Sequence, residues 1–238
     1  MRASSSLKPS SPNTPKGVKG LLGSSLIVAS MTMLSRILGL VRDVVIATFF
    51  GAGSQADAFF VAFKIPNFLR RLFAEGAFNQ AFVPVLAQIS EQDNAHLLKL
   101  MISKVSGSLL LILSVITVIA VVAAPVLALV FAPGFAGDGD KLGLTADMLR
   151  ITFPYLLLIS MTGFFGSLLN YSKRFVIPAL TPVLLNLSLI VAALWLAPQM
   201  TVPVMALAWG VLAAGIFQLA LQLLFVAQLG LLVRPSVG

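Results

Sequence analysis

Cysteine is absent from this chain of 238 residues, and histidine occurs once, at His96. The first absence excludes disulfides, thiolate metal sites, redox motifs and a lipid-modified cysteine anchor. The second leaves no histidine-built metal cluster or Ser-His-Asp triad to look for. No G-x-x-x-x-G-K-[ST] loop is present, so nucleotide binding by that route is excluded and any transport must draw on another energy source. No nucleophile–base pair or metal-ligand spacing stands out, so an enzyme is not expected and no cofactor is implied. Charge is scarce too, at 10% of residues against 58% hydrophobic, which is not the composition of a soluble globular domain. The formal charge of +8 is scattered between apolar runs without an RNA-binding aromatic motif, so it reads as membrane topology and no nucleic-acid partner is expected.

What is present is a series of apolar runs. A spanning helix needs about 20 mostly apolar residues, and the chain offers six such runs. They fall at residues 22–50, 57–89, 100–131, 146–171, 175–197 and 203–229, so the fold class is all-α, a polytopic membrane bundle of about six helices. Residues 1–20, rich in Ser, Pro and Lys, read as a disordered basic cytoplasmic tail. A secretory signal does not fit, because the following run exceeds the usual ~7–15 apolar residues and contains arginines. The first run ends at Gly51-Ala52-Gly53, a turn signal, and the second is interrupted by Pro66 and Pro84, which are kink points. Pro133 to Thr145, with its glycines, Asp138 and Asp140, reads as a surface loop.

Orientation follows from the Lys and Arg residues flanking the runs. With the N-terminus inside, the inner flanks hold Arg2, Lys8, Lys16, Lys19, Lys99, Lys104, Lys173, Arg174 and Arg234. The outer flanks hold only Lys141 and Arg150, while Asp57, Asp138, Asp140 and Asp147 gather there. This bias places both termini in the cytoplasm.

The first two runs carry Arg36, Arg42, Asp43, Lys64, Arg70, Arg71 and Glu75, a net charge of +3 within the membrane. A single charge at the centre of a spanning helix costs about 2.5–3.5 kcal/mol on insertion scales, so these groups must face a wet cavity or one another. At 1.5 Å per residue, Arg36 and Arg70 both lie ~20 Å below the outer surface, and Arg42 and Lys64 form a second rung at ~10–12 Å. Asp43 and Glu75 offset part of the charge, Glu75 standing one turn from Arg71. The excess of guanidinium suits an anion, because its fork matches phosphate oxygens bidentately. Elsewhere, Gly163 and Gly166 read as sites of close helix approach, and Asn186, Gln218 and Gln222 as interhelical hydrogen bonders. Trp195 and Trp209 read as interfacial anchors.

The run Ser30-Met31-Thr32-Met33-Leu34-Ser35-Arg36-Ile37-Leu38-Gly39-Leu40-Val41-Arg42-Asp43 resembles the first helix of the MurJ (MviN) family. The resemblance continues through Phe50-Gly51-Ala52-Gly53 and through Ala56-Asp57-Ala58-Phe59-Phe60-Val61-Ala62-Phe63-Lys64-Ile65-Pro66-Asn67-Phe68-Leu69-Arg70-Arg71. Phe73-Ala74-Glu75-Gly76-Ala77-Phe78 and Gln80-Ala81-Phe82-Val83-Pro84 extend it, so the signature is nearly gapless over residues 30–89.

The resemblance implies a lipid II flippase fold of the multidrug/oligosaccharidyl-lipid/polysaccharide exporter superfamily. Such a protein moves the undecaprenyl-diphosphate-linked peptidoglycan precursor across the bacterial cytoplasmic (inner) membrane by alternating access. It implies that Arg36, Arg42 and Arg70 line a cationic cavity, which Lys64 and Arg71, by their place in the same charged runs, are expected to share. It further implies a role for Asp57 near the outer gate; on the residues themselves, Asp43 and Glu75 balance charge, and Gly51, Gly53, Pro66 and Gly76 read as bending points for such a cycle. A membrane potential or ion gradient, rather than a cofactor, would reset the cycle, and the expected partners are lipid II and membrane lipids. The family has about fourteen spans in two lobes, so this chain corresponds to the N-terminal lobe and a C-terminal lobe is expected beside it. The competing expectations are an exporter of another polyprenyl-linked glycan or a drug, and a non-transporting lobe that scaffolds cell-wall enzymes.

Overall fold

The computed structural model describes residues 16–51, 53–70 and 95–237, and every regular element among them is helical. Helix α1 spans Lys16–Phe50, α2 Ser54–Arg70, α3 Ala95–Val122, α4 Ala124–Phe131, α5 Gly139–Thr152 and α6 Pro154–Tyr171. Helix α7 spans Val176–Val191 and α8 Met205–Gln228. α7 is prolonged by a π-helical turn at Ala192–Leu196 and a 3-10 turn at Ala197–Gln199.

Several boundaries differ from the apolar runs, each for an identifiable reason. α1 begins at Lys16, inside the segment expected to be disordered, because adding turns to an existing helix needs no new nucleus. The run from 100 to 131 is two helices, broken at Ala123 ahead of Pro125, and the run from 146 to 171 is broken at Phe153 ahead of Pro154. Proline lacks the N–H that an interior turn needs, but it fits the first turn of a new helix. The expected loop at Pro133–Thr145 is shorter than its composition suggests. Asp138 accepts a hydrogen bond from the Lys141 backbone N–H at 3.0 Å, which caps α5 and starts the helix at Gly139. Glu75, Arg71, Gly76 and Pro84 lie outside the described residues.

Among the described residues, four stretches are long and apolar enough to cross a membrane: His96–Val122, Gly139–Tyr171, Val176–Gln199 and Met205–Gln228. α6, α7 and α8 pack on one another, α3 lies against α6, and α2 lies against α5. One core cluster joins Ala58, Phe59, Ala62 and Ile65 of α2 to Met148, Leu149, Leu156, Val204 and the Leu207, Ala208 and Val211 end of α8. A second gathers Ile102, Phe164, Phe165, Leu168, Ile177 and Val226 toward the other end of the bundle. The tight helix crossings are not at Gly166, where an added Cβ would find ordinary contact at 3.6 Å. They fall on α8: a Cβ at Gly215 would lie 2.8 Å from Tyr155 Cδ2.

The arrangement of α1 is what shapes the site. It packs along α7 and touches α2 only slightly, so the two charged helices are not side by side. Gly51, with φ of +63°, reverses the chain between them in a conformation that strains any residue with a Cβ. The helices then diverge, leaving a wedge floored by α7.

Candidate functional site

The wedge between α1 and α2 holds a cavity of about 280 Å³, lined by Arg42, Ile46, Phe59, Phe60, Phe63, Lys64, Asn67 and Leu189. Its floor is apolar and its walls are aromatic. Phe59 and Phe63, one turn apart on α2, stack with ring centroids 5.7 Å apart, and Phe63 reaches on toward Tyr155. Two cations, Arg42 from α1 and Lys64 from α2, line this cavity. Lys64 is exposed and has no ion-pair partner among the described residues.

Arg42 is held from two directions. Its Nε and Nη2 both donate to Asp43 Oδ1, at 2.9 and 2.7 Å. Its Nη1 donates to Asn186 Oδ1 of α7 at 2.9 Å. Asn186 is 5% exposed and its Nδ2 donates to the backbone oxygen of Ser35, 2.9 Å away on α1. The Asp43 carboxylate is 58% exposed, so solvent weakens its pairing with Arg42. A guanidinium has five N–H donors, so among the described residues two are left uncommitted and could meet an anion in the cavity.

The other sequence-indicated residues are placed as follows. Arg36 is exposed and has no ion-pair partner among the described residues; it lies about 120° around α1 from Arg42 and does not line this cavity. Arg70 closes the described part of α2, and its side chain lies outside the described residues, as do Arg71, Glu75 and Gly76. Pro66 is buried inside a continuous α2. Asp57, in the first turn of α2, binds Lys141 Nζ through Oδ2 at 2.8 Å, and that ammonium also sits 4.1 Å over the Phe135 ring. Gly53 accepts the Asp57 N–H through its backbone oxygen at 3.1 Å, so the turn and the carboxylate form one unit.

Two of these contacts were not readable from the chain. The Arg42–Asn186 bond joins residues 144 positions apart and Lys141–Asp57 residues 84 apart, and no local pattern announces either. Gln218 and Gln222 do make the interhelical bonds expected of them, both to Thr181, through its backbone oxygen at 2.6 Å and its hydroxyl at 3.3 Å. Chemically, the wedge offers a fixed guanidinium, an ammonium without an ion-pair partner among the described residues, and aromatic walls. That is a receptor for a compact anion attached to something apolar.

Comparison with known proteins gives a consistent result. The model of a family described as lipid II flippase MurJ matches residues 46–238. A probable lipid II flippase MurJ of Haemophilus influenzae is 47% identical over 213 residues, covering 87% of this chain and 42% of the relative. A lipid II flippase MurJ of Burkholderia cenocepacia is 45% identical over 198 residues, covering 83% of this chain and 38% of the relative. The solved structure of a lipid II flippase MurJ in an inward closed conformation superposes with a TM-score of 0.71 at 27% identity. It covers 90% of this chain and 43% of that one. The chain therefore spans about two fifths of the length of the relatives it matches.

Proposed function

The chain belongs to the MurJ lipid II flippase family, and from that membership we propose that its α1–α2 wedge receives the diphosphate of lipid II during transfer across the bacterial inner membrane. The observation that carries this reading is the meeting of Arg42 and Lys64 around one cavity, where Asp43, largely exposed, is the one carboxylate paired with either among the described residues. A purely structural ion network comes out closer to neutral, because buried unpaired charge is costly. Arg36 on α1 and Arg70 at the end of the described part of α2 would extend the cationic surface beyond the wedge, and Arg71, outside the described residues, follows Arg70 in sequence.

In this reading the protein transports rather than catalyses. The diphosphate sits between Arg42 and Lys64 while the polyprenyl chain remains in lipid, and rocking of helical units opens the wedge alternately to each side. The open face of α1 and α2 closes against a second helical lobe of the kind that the relatives' greater length provides. Gly51 and Gly53 absorb the backbone change at one end, with Pro66 and Gly76 as further bending points. The pairing of Asp57 with Lys141 lies at that same end and would respond to its opening. A membrane potential or ion gradient resets the cycle. The distribution of basic residues supports a cytoplasmic position for both ends of this stretch.

The test is genetic. Combining Arg42→Ala with Lys64→Ala should abolish complementation of a strain depleted of its flippase, while immunoblots of washed membranes show unchanged insertion. Normal growth of that double variant would refute the reading.

A further inference from the structure

We propose that Asn186 is a positioning residue, which aims the Arg42 guanidinium into the wedge; the proposal rests on the anion reading of that cavity. The pairing of Arg42 with Asp43 cannot do this alone. Neighbouring residues on a helix do not face each other, so the arginine must fold back along its own helix to reach the carboxylate. Asp43 is also 58% exposed, and such surface pairs hold their partners weakly. A guanidinium tethered only there would swing between the carboxylate and solvent.

Asn186 supplies the fixed point. It is 5% exposed and sits on α7, the helix along which α1 packs. Its two amide atoms meet partners that accept only one orientation. Ser35 presents a backbone oxygen, which can only accept, so Nδ2 must face it at 2.9 Å. Arg42 presents an N–H, which can only donate, so Oδ1 must face it at 2.9 Å. The amide therefore cannot flip without losing both bonds. No other natural side chain of this size carries a donor and an acceptor side by side. Aspartate lacks the donor for Ser35, leucine lacks both groups, and glutamine is one methylene too long for the gap.

The consequence concerns the anion. With Nε, Nη1 and Nη2 each committed once, the remaining two N–H groups point in directions set by α7 rather than by solvent. Holding the donors in place before the anion arrives removes part of the ordering cost of binding. Asn186 also ties Ser35 and Arg42, two turns of α1, to α7, so a movement of α1 relative to α7 would re-aim the guanidinium. The position is thus a lever on affinity during the cycle, without contact with the cargo.

The experiment measures inorganic pyrophosphate affinity by calorimetry on the detergent-solubilised full-length protein as its gene encodes it. Asn186→Ala should weaken pyrophosphate binding roughly tenfold, the scale of a hydrogen bond to a charged group. In an Arg42→Ala background the same change should have no further effect, because there is no guanidinium left to aim. An equal loss from Asn186→Ala in both backgrounds would show a merely structural role and overturn the proposal. Asn186→Ala should leave the melting temperature of the detergent-solubilised protein close to the parent's, and a loss of affinity that appears only together with a collapse of the melting temperature would overturn the proposal. If Arg42→Ala itself leaves pyrophosphate affinity intact, the anion reading fails. If Arg42→Ala weakens binding and Asn186→Ala does not, only the positioning role fails.

Discussion

At the scale of single residues, hydrogen-bonding capacity and size decide what each position does. Arginine is useful in the wedge because it can be anchored through three N–H groups and still present two, whereas a lysine so anchored would have little left. Lys64, without an ion-pair partner among the described residues, complements it as a mobile point charge. Size governs the crossing of α6 and α8. A Cβ at Gly215 would lie 2.8 Å from Tyr155 Cδ2 and 3.0 Å from Leu158 Cδ1, and the Tyr155 ring, 1% exposed, is fixed inside a packed core. Gly215→Ala should therefore destabilise the bundle by about 1–3 kcal/mol, seen as a lowered melting temperature in detergent. An unchanged melting temperature would mean that the crossing is looser than the side-chain packing indicates.

At the scale of elements, prolines and caps cut the apolar runs into helices. Sequence reading locates the runs because hydropathy is local. It passes over Pro154, since an apolar stretch on both sides hides the break at Phe153. The stretch before Ala146 misleads in the opposite way: its glycines and acids look like loop, yet the Asp138 cap draws Gly139–Thr145 into a helix. Loss of that cap in Asp138→Ala should cost about 0.5–2 kcal/mol. The change should appear as faster hydrogen exchange confined to the first turn of α5, where Lys141 also holds Asp57. Uniform exchange across α5 in both proteins would deny the cap its role.

At the scale of the whole molecule, the bundle has two chemically distinct ends. Gly51, Asp57, Phe135 and Lys141 mark one, and Lys99, Lys173, Arg174 and Arg234 the other. The absence of cysteine makes their orientation directly testable. Gly137→Cys, an exposed position with open space around its α-carbon, should react with an impermeant maleimide from the outside of intact spheroplasts. Ser172→Cys, in the basic turn between α6 and α7, should react only in inverted vesicles. Labelling of both from one side would overturn the orientation.

Composition and local pattern alone determined that the chain is helical, apolar enough to cross a membrane several times, and burdened with cations in its first two runs. Those properties are legible because hydropathy, proline and charge act over a few neighbouring residues. Pairing α1 with α7 rather than with α2 was a tertiary decision, since it depends on which distant surfaces fit together. That decision opened the wedge, left Arg36 outside it, and brought Asn186 across 144 positions to Arg42. No local term in the sequence encodes such an encounter, because it exists only once the helices have packed.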